Sequence, residues 1–230
     1  MSKYCFIKRI FDIVFGYILL LASYIPMGII SLIILIFDGR PVIFKQTRVG
    51  QGGKRFVCYK FRTMKNEAPQ DKSKKEMREI SKYITPLGKF LRRTSLDELP
   101  QLLNVISGDM SLIGPRPLIP NEIDVHIKRN ELGVYRIKPG ITGLSQICGR
   151  DDITDLRKIE CDAIYVNNIS FLNDLKILKS TILNVIRRDG NIDDARWVLD
   201  INTYKRYNII RNLSELFKWL YLKHKLRKTK

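Results

Sequence analysis

The stretch Ser95-Leu96-Asp97-Glu98-Leu99-Pro100-Gln101 places two adjacent carboxylates between the cations Arg92-Arg93 and an apolar segment, Leu99 to Ile106. A serine followed three residues later by a glutamate is a capping-box pattern. It predicts that a helix starts here, and a proline is tolerated in the first turn. The N-terminal end of a helix carries partial positive charge, so we expect it to keep both acids ionised and to attract phosphate. Taken alone, the pattern also fits two acids that only cap a helix.

Composition narrows the class of partner. The chain has 230 residues, which suggests one domain. Its net charge of +18 and pI near 9.9 indicate an anionic partner: nucleic acid, an acidic membrane surface or phosphorylated substrates. The four cysteines form no C-x-x-C pair and no cleavable signal sequence is visible, so we expect reduced thiols on a protein that faces the cytosol. Two histidines are too few to favour a zinc site built on histidine.

The N-terminal region contains an uncharged stretch, 13–37, which at about 25 residues is long enough to cross a bilayer as a helix. Pro26 must bend such a helix, and Ser23 is close enough to bond a carbonyl that the proline frees. Lysine and arginine flank the stretch on both sides, whereas a spanning helix usually has them in excess on one side. This pattern suits a re-entrant helical hairpin over 1–40, and a kinked spanning helix stays open as the alternative.

Two short segments, 41–44 and 56–62, have the composition of strands, and the glycine turn 50–53 lies between them. The turn is not a Walker loop, because no G-K-[ST] ends it. Alternation along the second strand places Lys60 and Arg62 on one face, where they form either a solvated surface or a floor for phosphate.

Two later stretches combine a restricted backbone with cations. Arg116 lies between two prolines, which fix the backbone around a guanidinium suited to bidentate contact with phosphate. A Pro-Arg-Pro sequence can also be no more than a rigid loop. The segment 138–143 and the pair Gly149-Arg150 are rich in glycine, which lets backbone N–H groups approach a phosphate closely.

The C-terminal part of the chain is predicted to be helical over 153–188, and one of its apolar stripes is expected to face the core. That stripe consists of Leu172, Leu175, Leu178, Ile182 and Ile186. The tail 196–230 is basic and has an apolar helical face with aromatic residues at its margin, which is typical of a helix on an anionic membrane surface. The alternative is a helix packed on the domain with solvated lysines.

Several long motifs occur in order: PVIFKQ (41–46), KFRTM (60–64), LDELPQ (96–101), GDMSLIGPRP (108–117), KPGITG (138–143), GR (149–150) and YVNNIS (165–170). In these motifs the chain resembles the monotopic phosphoglycosyl transferases, and the resemblance covers about residues 6 to 190. These are bacterial sugar transferases that start glycan assembly on a lipid carrier. The resemblance implies an α/β fold, mostly helical with a small sheet. A compact cytosolic catalytic domain (41–195) would carry a re-entrant N-terminal membrane helix and amphipathic surface helices.

The resemblance also implies an activity, the transfer of a sugar 1-phosphate from a UDP-sugar to undecaprenyl phosphate with release of UMP. Asp97 matches the family's nucleophile, which would hold the phosphosugar as an acyl phosphate. Glu98 matches the residue that holds Mg²⁺, a hard cation that prefers oxygen ligands. The implied location is the cytosolic face of the bacterial inner membrane.

Further residues are implied to bind the substrate. Four cations would complete an electrostatic cradle and two more residues are candidates beside them: Lys60, Arg62, Arg116 and Arg150, then Lys138 and Asp162. The implied partners are the UDP-sugar, undecaprenyl phosphate and the anionic inner leaflet of the bilayer, without nucleic acid. A homodimer is left open.

Three other functions stay open on the sequence. In a direct transfer, Asp97 would act as general base for the lipid phosphate instead of forming a covalent intermediate. The same site would alternatively hydrolyse UDP-sugars. A membrane-anchored binder of nucleic acid or acidic glycan would explain the charge of +18, but it leaves the ordered motifs unexplained.

Overall fold

The computed structural model of the chain describes residues 3–68, 81–149 and 153–187. The described helices are α1 Lys3–Phe37, α2 Pro86–Thr94, α3 Gln101–Ser107, α4 Ile123–Glu131, α5 Leu144–Ile147, α6 Asp155–Asn167 and α7 Phe171–Arg187. The strands are β1 Ile43–Val49, β2 Arg55–Phe61, β3 Ser111–Ile113 and β4 Gly140–Thr142. The predicted mostly helical chain with a small sheet is therefore confirmed. The predictions for Arg150 and for the basic tail 196–230 lie outside the described residues.

The strands form two separate pairs. β1 and β2 are an antiparallel hairpin, and the turn between them uses Gly52 and Gly53 at positive φ. The second predicted strand is confirmed, whereas the first begins two residues later than predicted and continues to residue 49. β3 and β4 pair in parallel and bring the motifs 108–117 and 138–143 together. Their backbones approach so closely that a Cβ added at Gly140 would lie 2.1 Å from the amide nitrogen of Gly114. Glycine is therefore needed at these positions because the two backbones pack closely. The sequence-based prediction for the glycines of 138–143 is contact with a phosphate instead.

The N-terminal end of α1 is attached to the domain by buried polar groups. Lys8 Nζ lies 2.6 Å from Asp174 Oδ2, and the hydroxyl groups of Tyr4 and Tyr165 each donate to the same carboxylate over 2.6 Å. Four residues further along α1, the carboxylate of Asp12 accepts from the Ser111 hydroxyl group and from the next backbone N–H, both at 3.0 Å. A charged pair with such complete bonding is costly to break, so it fixes this end of the helix.

The C-terminal end of α1 is attached to the same domain by apolar packing. Ile30 and Ile34 are buried in a core cluster with Phe61 of β2 and Leu91 of α2. Directly after the helix, the backbone carbonyls of residues 38 and 39 accept hydrogen bonds from the buried guanidinium of Arg62. Both ends of α1 therefore contact one domain, through different kinds of interaction.

The middle of α1 is apolar and exposed, with Leu21, Tyr24 and Ile25 each more than 70% accessible. In the described part of the chain, α1 is the one helix long and apolar enough to cross a membrane. The helix runs without a break through Pro26, and the hydroxyl group of Ser23 donates to the Leu20 carbonyl at 3.2 Å. The carbonyl that the proline frees is that of residue 22, so the Ser23 bond falls elsewhere than expected.

The helix α7 has its polar side inward and its apolar side outward. Asp174, Ile177, Ser180 and Asn184 are buried, and three of these four are polar. The predicted core stripe is exposed instead: Leu172 67%, Leu175 52%, Leu178 42% and Ile182 52%, with the side chain of Ile186 outside the described residues. The prediction that this stripe faces the core is wrong: on the opposite side of α7, Asp174 finds its partners in the domain, whereas Leu175, Leu178 and Ile182 line an open cleft.

Candidate active site

The acidic pair lies on a 3-10 turn, Leu96–Glu98, between α2 and α3. Ser95 ends α2 in the left-handed conformation, at φ 59°, and its side chain makes no capping hydrogen bond. An N-cap residue needs an extended backbone, so the predicted capping box does not form, and α3 begins at Gln101 rather than near Asp97. The two acids are therefore held by the turn that precedes a helix and not by the helix end itself.

Asp97 is buried, with 8% of its surface accessible. Burial raises the pKa of its carboxyl group to about 6, against an ordinary value of 3.8, and the neighbouring charge of Glu98 adds to the rise. Lys60, Arg92 and Arg116 oppose it. Because α3 starts at Gln101, the expected helix terminus does not lie at this acid, and burial raises the pKa of Asp97 where a helix terminus would lower it. The carboxylate is weakly solvated, yet it is ionised at neutral pH.

Glu98 joins two of the predicted cations. Its Oε1 lies 2.6 Å from Lys60 Nζ and 3.7 Å from an Arg116 guanidinium nitrogen. The three side chains are 18% to 30% accessible, so the cluster is half-buried and still open to the adjoining cleft. The structure therefore brings together Lys60, Glu98 and Arg116 beside Asp97.

The cleft next to the acidic pair has a volume of about 1280 Å³ and is lined by further polar groups that the sequence analysis missed. Gln46 and Arg48 belong to β1, on the face of the hairpin that also carries Lys60. The Arg48 guanidinium donates to the carbonyl of residue 117 at 3.1 Å and to Gln46 Oε1 at 2.5 Å. Burial, reinforced by the charge of Arg116, lowers the pKa of Arg48. Strand alternation across the hairpin was the signal that could have found both residues.

Arg92 is another cation of the cleft that sequence analysis did not select. Its Nε donates to the hydroxyl group of Thr63 at 2.8 Å, and its charge opposes the rise in the Asp97 pKa. The wall around the acidic pair is therefore more cationic than predicted.

Two of the predicted phosphate-binding cations have other contacts. Arg62 donates to backbone carbonyls after α1 and to Asn66 Oδ1, so its position indicates a structural role at that junction. Lys138 lies with Arg9 beside Gly108, the residue that ends α3, whereas the acidic pair precedes the start of that helix. Lys138 does not line the cleft.

Asp162 is fully buried in an ion pair with Arg129. Burial raises the pKa of its carboxyl group against the effect of the arginine. A second guanidinium nitrogen of Arg129 donates to the backbone carbonyl of Arg116 at 2.8 Å. Asp162 therefore acts on the site indirectly, because its partner holds the backbone of the Pro-Arg-Pro segment.

The donor set fits a metal that takes few protein ligands. No group of three or more histidine, cysteine or acidic side chains with metal-binding geometry occurs in 3–68, 81–149 and 153–187. Mg²⁺ is commonly held by one or two carboxylates together with substrate phosphates and water, rather than by a cage of side chains. Glu98, half-buried beside the cleft, can supply one such carboxylate.

A buried acid beside a glutamate that bridges two cations, with further arginines nearby, is an arrangement that suits binding of phosphate groups. A family model described as "Bacterial sugar transferase" matches residues 3–188. The chain belongs to this family, which confirms the resemblance read from its motifs and the prediction of a transferase.

Three relatives show how much of each protein is shared. The chain is 41% identical over 184 residues to the "Uncharacterized sugar transferase EpsL" of Bacillus subtilis, covering 80% of this chain and 89% of the relative. It is 40% identical over 201 residues to the "Undecaprenyl-phosphate galactose phosphotransferase" of Salmonella typhimurium, covering 80% and 41%. It is 38% identical over 183 residues to the "UDP-glucose:undecaprenyl-phosphate glucose-1-phosphate transferase" of Escherichia coli, covering 76% and 39%. The chain thus spans about two fifths of the last two proteins.

The raised pKa of Asp97 predicts that this residue destabilises the fold at neutral pH. Because the folded-state pKa is about 6 and the ordinary value 3.8, ionised Asp97 costs up to about 3 kcal/mol. Asp97→Asn should therefore raise the melting temperature at pH 7.5, in detergent with a chelator.

The cost is full above about pH 6 and vanishes below about pH 4, so the gap between variant and wild type should close over that interval. Glu67→Gln, at an exposed acid, is the matched control and should change little. A lower melting temperature for Asp97→Asn at pH 7.5 would contradict the claim that ionised Asp97 destabilises the folded protein.

Proposed function

We propose that the chain transfers a sugar 1-phosphate from a UDP-sugar to undecaprenyl phosphate and releases UMP. The observation that carries the proposal is the buried Asp97 carboxylate beside the Lys60–Glu98–Arg116 cluster, in a member of the bacterial sugar transferase family. Relatives named as galactose and glucose phosphotransferases of undecaprenyl phosphate support the substrate classes. UMP is the leaving group that such a transfer requires.

The reaction runs in two steps. A carboxylate oxygen of Asp97 attacks the β-phosphorus of the UDP-sugar, an oxygen–phosphorus bond forms, and the bond from that phosphorus to the bridging oxygen of UMP breaks. A phosphate oxygen of the lipid acceptor then attacks the acyl phosphate. The phosphosugar moves to the lipid as a diphosphate, and Asp97 is regenerated as a carboxylate.

The cationic side chains around Asp97 suit a reaction that brings negatively charged groups together. Attack on a diphosphate brings a carboxylate towards a negatively charged group, so fixed cations are needed to offset the repulsion. Lys60 and Arg116 already share one carboxylate, and a substrate phosphate offers each of them an additional acceptor. The high pKa of Asp97 favours nucleophilic attack, because a weakly solvated carboxylate loses little hydration on reaction.

Mg²⁺ is the cofactor that the Glu98 carboxylate suits. Glu98 would hold it, and when bound it would neutralise negative charge on the diphosphate. Glu98 already has Lys60 at 2.6 Å, so the lysine orients this carboxylate in the absence of the ion.

The location we propose is the cytosolic face of the inner membrane, with α1 as a re-entrant anchor. A helix that crosses the roughly 30 Å hydrocarbon core has its ends on opposite sides. Both ends of α1 contact one domain, near Lys8 and near Ile34, which supports entry and exit at the same face, although the helix is continuous through Pro26.

The activity is tested by UMP release from a panel of UDP-sugars with undecaprenyl phosphate. Asp97→Asn should reduce the rate by at least about 10³-fold, because the nucleophile is lost. Glu98→Gln and addition of a chelator should each reduce it strongly, and Asp109→Asn, an exposed acid beyond α3, is the control. UMP release by Asp97→Asn at the wild-type rate would reject the assignment of Asp97. Release of free sugar phosphate without acceptor at the full rate would favour a hydrolase.

The membrane topology is tested by labelling single cysteines in a background without native cysteine. Ser2→Cys precedes α1 and Arg40→Cys follows it. A membrane-impermeant maleimide should label both positions in inside-out vesicles and neither in intact spheroplasts, because a re-entrant helix returns to the cytosolic face. Labelling of Ser2→Cys in spheroplasts would show a spanning helix.

A further inference from the structure

The outer edge of β2 carries backbone groups that β1 does not use. Arg62 N donates to the Val42 carbonyl at 2.9 Å, and this pair continues the register of the hairpin by one residue. Along an antiparallel ladder, every second residue bonds to the partner strand. In β2 these are the even-numbered residues, as Arg62 shows, so the odd-numbered residues direct their N–H and C=O groups away from β1. Val57 and Tyr59 are such residues, so their backbone groups point away from β1.

The side chain of Asn104 in α3 fills this edge. Its Nδ2 donates to the Val57 carbonyl at 2.7 Å, and its Oδ1 accepts from the Tyr59 N–H at 3.1 Å. The residue is 1% accessible, so water does not substitute for either bond. The carboxamide therefore takes the place that a neighbouring strand would occupy, and only this orientation of the amide matches donor with acceptor.

The two hydrogen bonds of Asn104 lie near the acidic pair in sequence, both along β2 and along the segment that contains α3. Lys60 directly follows Tyr59 in β2, and its Nζ reaches Glu98 at 2.6 Å. Glu98 lies six residues before Asn104, on the turn that leads into α3. The strand and the helical segment are thus joined twice, once by a carboxamide and once by the ion pair.

We propose that Asn104 is a positioning residue, whose carboxamide sets the register of α3 on β2 and so holds Asp97 and Glu98 level with Lys60. The inference rests on the proposed transferase function. Asn104 touches no reacting group, and it acts through the backbone of the strand that carries Lys60.

Apolar packing alone does not set this register. Val105 and Met110 are buried against Cys58 on the same side of β2, in a cluster of three residues. Such contacts are non-directional. The hydrogen bonds that Arg9 donates to the carbonyls of Val105 and Ile106 hold α3 against α1 and do not set its position on β2. Two hydrogen bonds to fixed backbone atoms restrict sliding and rotation of α3 on β2, and a displacement of about 1 Å at a nucleophile can reduce a rate by about 100-fold.

Two substitutions at Asn104 test whether its hydrogen bonds to β2 affect catalysis separately from overall stability. Asn104→Asp keeps the acceptor for Tyr59 N–H but sets a carboxylate oxygen against the Val57 carbonyl. Asn104→Gln keeps both amide groups on a side chain that is one methylene longer. Each should lower kcat for UMP release by at least about tenfold, with the KM for the UDP-sugar changed by less than about threefold.

Val105→Ala is the matched control, since it removes a buried side chain from the next position of α3 without touching β2's hydrogen bonds. It should lower the melting temperature yet leave kcat within about twofold at a temperature where all variants are folded. A wild-type kcat in both Asn104 variants, or an equal loss in Val105→Ala, would overturn the proposal.

Hydrogen exchange provides a readout that does not depend on the reaction. Exchange at the Tyr59 amide should be at least about tenfold faster in Asn104→Asp than in wild type, while the Cys58 amide, which faces β1, should be unchanged. An unchanged Tyr59 amide would reject the register role even if the wild-type chain released no UMP. Absence of UMP release from wild type, with the Tyr59 effect intact, would count against the proposed function alone.

Discussion

The ion pair between Lys60 and Glu98, with 2.6 Å between Nζ and Oε1, connects the strand hairpin to the turn that carries Asp97. About a fifth of each side chain is accessible, so the pair is stronger than a surface salt bridge and avoids the full cost of burial. It brings positive charge close to Asp97, whose burial would otherwise raise its pKa further. The balance leaves a carboxylate that is ionised at neutral pH and weakly solvated.

Two helices, α1 and α7, invert the usual arrangement of a soluble domain. In α7, Asp174 and Ser180 face inward and the leucines face outward, and in α1 the middle of the helix is apolar and accessible. The inward polar groups are bonded: Asp174 accepts from Lys8 and from two tyrosines. Buried polar bonding therefore holds the N-terminal end of α1 on the domain, while the apolar side chains stay exposed.

The sequence predicts the hairpin, the helical content and the candidate active site at Asp97 and Glu98, because periodicity and motif spacing are local properties. It does not predict the capping box correctly, since the backbone of Ser95 is determined by the end of α2. Periodicity identifies the apolar stripe of α7 but not whether it faces the core or the outside. The contacts of Arg62 and Lys138 depend on which distant segment lies beside them. Asn104 has no sequence signal of its own, because the strand edge that it pairs with exists only in the folded chain.

The central claim is a covalent phosphosugar on Asp97, and intact-protein mass spectrometry without lipid acceptor tests it most directly. The chain in detergent, with Mg²⁺ and its UDP-sugar, should gain the mass of one sugar phosphate, and fragmentation should locate it on Asp97. The added mass should disappear when undecaprenyl phosphate is supplied. An unmodified chain that nevertheless transfers phosphosugar rapidly to the lipid would contradict the account and indicate direct transfer.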